Sequence, residues 1–101
     1  MRPIILIGLL ISSPAFAGYA TPNGCGYETN DFTEITDSDA YFDGRKLRGW
    51  EWGCEIEADG QASCWSEDTS FEATFTVTID GDTATIRDEA NDKTFVMERC
   101  P

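Results

Sequence analysis

The sequence predicts an all-β domain: a small antiparallel meander or partly closed barrel, stapled by two disulfides and following a cleaved signal peptide. Three observations predict it. Asp-Gly turn signals recur at Asp43-Gly44, Asp59-Gly60 and Asp80-Gly81, between runs rich in Thr, Phe, Ile and Trp. Beyond the first seventeen residues no segment sustains a 3.6-residue apolar period, so any helix should be short. Four cysteines, Cys25, Cys54, Cys64 and Cys100, stand in a chain whose beginning reads as an export signal.

That signal has three parts. Arg2 supplies a short basic region, Ile4 to Ile11 form an apolar run, and Pro14-Ala15-Phe16-Ala17 ends in an A-x-A cleavage pattern. The run is far short of the ~20 residues of a membrane-spanning helix. No cysteine stands at the cleavage point, which argues against a lipid anchor. The expected organisation is a signal over 1–17, an irregular N-terminal arm over 18–31 and one antiparallel β domain over 32–101. The mature chain should start near Gly18 and be secreted or periplasmic. Its 84 residues bury roughly 60–70% of their unfolded surface, so the core alone is marginal. Two disulfides at about 2–4 kcal/mol each would make up the difference.

In chain order, Gly18 to Asp31 is rich in Gly, Pro, Asn and Thr and is expected to be an arm pinned by Cys25. The central hairpin joins 47–57 to 61–67 and admits two registers. With Ala58-Asp59-Gly60 as a three-residue loop and Gly60 left-handed, Glu57 pairs with Gln61, Ile56 with Ala62 and Cys54 with Cys64. That places the cysteines at a non-hydrogen-bonded pair, where strands approach most closely. A two-residue loop would instead turn them to opposite faces. The first register is preferred and leaves Cys25–Cys100 as the second bridge; the other pairings stay open, because spacing alone does not fix connectivity. Downstream, Phe71, Ala73, Phe75, Val77 and Ile79 alternate with Glu72 and threonines. An Asp80-Gly81 turn sets Phe75 against Ile86 and Val77 against Ala84, with Phe95 and Met97 on the same side. The expected core is Trp50, Trp52, Ile56, Phe71, Phe75, Val77, Ile79, Ile86, Phe95 and Met97.

Composition excludes several functions. The chain has no histidine, so Ser-His-Asp and Cys-His catalysis are absent in their usual form, and with both disulfides made no thiolate remains. An enzyme is not expected, nor a cofactor. Zinc is disfavoured by cysteine separations of 29, 10 and 36 residues. Asp37-x-Asp39 begins like a calcium loop, but Tyr41 and Phe42 fill the next ligand and glycine positions and Arg48 stands where the closing Glu belongs. No metal ligands are assigned. Carboxylate pairs for glycoside hydrolysis could be drawn at will from nineteen acids, which makes that signal empty.

After the signal, six basic and nineteen acidic residues leave a net charge of −13. Such a chain is repelled by nucleic acid and by anionic membranes, and its natural macromolecular partner is a basic secreted protein. The preferred register turns Trp65 outward, across from Gly53, with Glu51 opposite Glu67 and with Glu55 and Glu57 on the same face. These five residues, Glu51, Glu55, Glu57, Trp65 and Glu67, are the candidate partner surface. The expected function is a monomeric, non-catalytic binding or inhibitor protein for a cationic partner. The alternative is a small-ligand module holding an apolar or sugar-like molecule in an interior lined by Trp50 and Trp52. Intact-mass analysis of the exported protein should show loss of the signal and of four thiol hydrogens. Free thiols in the native protein would overturn the scaffold.

Overall fold

The computed structural model describes residues 18–101; the expected signal over 1–17 lies outside them. Eight antiparallel strands follow one another around a closed barrel, and the first pairs with the last. They are β1 (Tyr19–Ala20), β2 (Tyr41–Phe42), β3 (Lys46–Gly49), β4 (Trp52–Ile56), β5 (Gln61–Ser66), β6 (Thr69–Asp80), β7 (Thr83–Asp88) and β8 (Lys93–Arg99), with a single helical turn, α1 (Gly26–Thr29), between β1 and β2. The arm therefore supplies both the closing strand and the only helix among the described residues.

The β4–β5 hairpin takes the three-residue loop. Gly60 has φ +93°, the Glu57 amide donates to the Gln61 carbonyl at 2.8 Å, and Cys54 faces Cys64 with Cα atoms 4.0 Å apart. Both bridges, Cys54–Cys64 and Cys25–Cys100, are formed. At the β6–β7 turn the sequence expectation needs correction. Asp80 pairs with Thr83, so the loop is Gly81-Asp82, with Gly81 at φ +64° in the first loop position, as a II′ turn requires. Val77 consequently faces Ile86, and Ile79 faces Ala84. The slip is two residues, one full side-chain period, so every side chain keeps its expected face.

The core is built from Tyr19, Ala40, Phe42, Leu47, the Cys54–Cys64 bridge, Ile56, Ala62, Phe75, Ala84, Ile86, Phe95 and Met97. Of the expected core, Ile56, Phe75, Ile86, Phe95 and Met97 are buried, whereas Trp52 and Val77 are half-buried against its edge. Trp50, Phe71 and Ile79 are exposed. Two causes account for these three. Trp50 occupies a hairpin turn, since Gly49 pairs with Trp52 and the expected single strand from Leu47 to Glu57 is two strands. Phe71 and Ile79 lie in the outer parts of β6, which is longer than any neighbour. Its residues Thr69 to Thr74 pair only with β5, and Phe75 to Asp80 only with β7. Phe75, at the junction, is covered from both sides; Phe71 and Ile79 share its parity but lack a second neighbour.

Replacing Phe75 with Ala should cost about 3–5 kcal/mol by urea unfolding, and Ile79→Ala less than about 1 kcal/mol. Equal costs would mean that the division of β6 is wrong.

Candidate functional site

Alternation along β3 to β6 sends Leu47, Cys54 and Cys64 inward and leaves two rows of side chains on the outer surface. One row runs Arg48, Gly53, Trp65, Ser70; the other runs Lys46, Glu55, Ser63, Glu72. Between them lies an open furrow of about 680 Å³. Trp65 is half exposed (50%), and its indole lies over Gly53: a Cβ there would meet Trp65 Nε1 at 2.8 Å. The outward orientation expected for Trp65 is thus present, and the bare glycine is what lets the ring lie flat along the sheet.

The expected carboxylates are arranged differently. Glu51 and Glu67 do not face each other across paired strands. Each sits in a two-residue turn, Trp50-Glu51 between β3 and β4 and Glu67-Asp68 between β5 and β6. Trp52 pairs with Ser66 between them, and the Glu67 amide approaches the Glu51 carbonyl at 3.4 Å, so the turns stand side by side at one end of the barrel. Both residues have positive φ, +65° for Glu51 and +49° for Glu67, a region costing a residue with a Cβ on the order of 1–2 kcal/mol. Neither enters an ion pair among the described residues. Glu55 and Glu57 do: both carboxylates approach the Arg45 guanidinium, at 3.2 and 3.7 Å. These two belong to a solvated ion-pair cluster with Arg45, and of them only Glu55 lines the furrow that Trp65 borders.

Residues that sequence reasoning did not group with Trp65 complete the site. Tyr27, Phe32, Arg48, Gly49, Trp50, Glu51 and Trp65 line a smaller depression of about 270 Å³ where α1 and the following loop meet the barrel. Trp65 borders both this depression and the furrow. Tyr27 and Phe32 pack edge to face, and the Arg48 guanidinium lies 4.9 Å above the Tyr27 ring. Burial pushes the Tyr27 phenol up, against the opposing pull of Arg48. Trp50, half exposed at 47%, forms the outer wall. No Gly, Asn or Pro marks the Trp50-Glu51 turn in the sequence, which is why this grouping was not legible there. The arrangement offers flat aromatic faces beside two carboxylates that hold no cation of their own.

Asp39, from the failed calcium pattern, has a structural task. It is buried, and its Oδ1 accepts from the Thr21 hydroxyl at 2.7 Å and the Asn23 amide at 3.3 Å, while Oδ2 accepts from the Thr36 amide and hydroxyl at 2.9 and 3.0 Å. Burial pushes this carboxyl up, but the hydrogen bonds outweigh burial and hold it below the usual carboxylate range. Both oxygens are thereby occupied. Among the described residues no group of three or more Cys, Asp or Glu is placed to hold a metal ion.

No known protein family, curated protein or solved structure matches the chain.

Because folding lowers the Asp39 pKa, its contribution is present above the unfolded value of about 3.9 and lost as pH falls through the folded one. Asp39→Asn should cost about 1.5–3 kcal/mol at neutral pH, and the gap to the parent protein should close in acid. A pH-independent gap in urea unfolding would assign the loss to packing instead.

Proposed function

We propose that the protein is a non-catalytic binding or inhibitor protein, acting outside the cytoplasm, that docks a basic protein through the Trp65 end of the barrel. One observation carries the reading. Two half-exposed indoles, Trp50 and Trp65, flank a depression lined by Glu51 and by Arg48, which is engaged over the Tyr27 ring; Glu67 stands in the adjoining turn, and neither glutamate has an ion-pair partner among the described residues. A Lys or Arg side chain of the partner would stack on an indole face and place its charge against these carboxylates, both of which are interface chemistry. The positive φ values support the same reading. Gly or Asn would hold these turns at less strain, yet glutamate stands at both positions. The net charge of −13 after the signal would accelerate encounter with a cationic surface. Two disulfides are compatible with an oxidising exterior or periplasm. The alternative of a ligand held inside the barrel loses its Trp50 wall, because that indole lies in a turn on the outside, and the interior positions are occupied by the packed core.

The test is capture from the native secretome at low salt, followed by kinetics on the captured protein. The complex should weaken as ionic strength rises and screening shortens charge interactions to about 8 Å at physiological salt. Trp65→Ala should mainly raise the dissociation rate, and Glu51→Gln with Glu67→Gln should mainly lower the association rate. Glu51→Gly and Glu67→Gly give a sharper contrast: stability unchanged or raised by up to about 1 kcal/mol, with partner binding weakened. If every variant binds equally, this end of the barrel is not the interface; if nothing basic is captured at low salt, the proposal fails.

A further inference from the structure

Gly18, the first described residue, is held on three sides. Its amide donates to Glu28 Oε1 at 3.0 Å, its carbonyl accepts from the Cys100 amide at 2.7 Å, and the residue is buried. A Cβ at this position would lie 2.5 Å from the Tyr41 hydroxyl and 2.6 Å from the Phe42 carbonyl oxygen, so only glycine fits. Glu28 Oε1 also accepts from the Tyr41 hydroxyl at 2.6 Å. Burial first, and the adjoining Glu28 second, push the Tyr41 phenol up, so it stays a neutral donor. Glu28 is therefore a carboxylate with two neutral donors and no ion-pair partner among the described residues. The remaining charge acting on Tyr41 is Asp43, which is also acidic.

We propose that the chain is cut between Ala17 and Gly18 and that the α-ammonium group created at Gly18 closes an ion pair with Glu28. Hydrolysis adds one water across the peptide bond, leaving a carboxylate on Ala17 and an amine on Gly18. At neutral pH that amine takes up a proton, since α-amino groups ordinarily titrate near 7.7–8.0. The nitrogen that offered Glu28 one neutral N–H then carries three N–H donors and a positive charge. A hydrogen bond with one ionised group is already roughly twice as strong as a neutral one, and cleavage adds a charge on the donor side to the charge that Glu28 carries on the acceptor side. The gain falls on the weakest seam of the barrel, because Gly18 leads directly into β1, which meets each neighbour over two residues. Processing thus becomes part of the fold: cleavage supplies the counter-charge that Glu28 lacks, and Gly18 is the only residue type that can bring it there.

N-terminal sequencing of the exported protein should read Gly18 first. With Gly18 isotopically labelled, its α-amino group should titrate above the ordinary range in the mature protein and return to it in Glu28→Gln. Thermal melts of the mature protein and of a form retaining Ala17, each with and without Glu28→Gln, separate the charge from the hydrogen bond. Glu28→Gln should lower the melting temperature of the mature form by roughly 4–8 °C more than that of the extended form, about a fivefold difference in the folded-to-unfolded ratio. A different first residue, an ordinary α-amino titration in the wild-type protein, or equal losses in both forms would each overturn the proposal. The wild-type titration decides even if Glu28→Gln does not fold.

Discussion

Closure of the barrel rests on a very short seam. β1 and β2 contribute two residues each, and between them they must join β8 to β3. So few ladder hydrogen bonds, each worth about 1 kcal/mol net, do not hold a strand against the entropy of ordering it. The Cys25–Cys100 bridge supplies the constraint. It spans 75 residues and ties the segment after β1 to the end of β8. In the chain-entropy description a loop of that length restricts the unfolded state by about 4–5 kcal/mol, against about 3 kcal/mol for the ten-residue Cys54–Cys64 loop. The shorter bridge fixes one register inside a hairpin that already has a strong turn. The longer one decides whether the sheet has edges at its two ends.

Side chains reinforce the same seam. Arg99 on β8 lies over the Tyr19 ring and donates to its hydroxyl at 3.0 Å, while its Nε pairs with Asp82 at 2.9 Å in the β6–β7 turn. Asp39 gathers Thr21, Asn23 and Thr36, which fixes the path from β1 through the arm to β2. Polar groups therefore add to the burial of Tyr19, Ala20 and Phe42 in the part of the barrel where the strands are shortest. The apolar core draws most of its side chains from β3 to β8, where the strands are long enough to present alternating faces, and reaches the seam through Tyr19, Ala40 and Phe42.

What was legible in the sequence follows from this division. At the β4–β5 turn the glycine made the reading hold: Gly60 selects the three-residue loop, that loop brings Cys54 opposite Cys64, and parity then turns Trp65 outward over Gly53. Period-two alternation also fixed which face each β7 and β8 side chain occupies, even though the β6–β7 pairing was displaced by two residues. Two kinds of information were missing. Trp50 and Glu51 have no turn propensity, so the β3–β4 hairpin was hidden, and with it the exposure of Trp50 and the true position of Glu51. Alternation reports a face but not whether that face is covered, so Phe71 and Ile79 read as core although β6 outruns its neighbours at both places. Of the candidate surface, Trp65, Glu51 and Glu67 share one end of the barrel, while Glu55 and Glu57 belong to Arg45.

The division of β6 between two partners has a further consequence. Each half leaves one backbone edge without a paired strand among the described residues, on opposite sides of the same twelve-residue segment. Two open edges on one molecule leave each copy able to add a strand at two places, which is the condition for growth into linear polymers. What opposes such growth is like charge: Glu72 and Asp80 lie on β6 itself, and every copy carries the same excess of acid. Protonating those groups or screening them in concentrated salt removes the opposition while leaving the edges in place. Colloidal stability and the proposed docking of a basic protein thus draw on one reserve of negative charge, so a mutation that alters the first also touches the second.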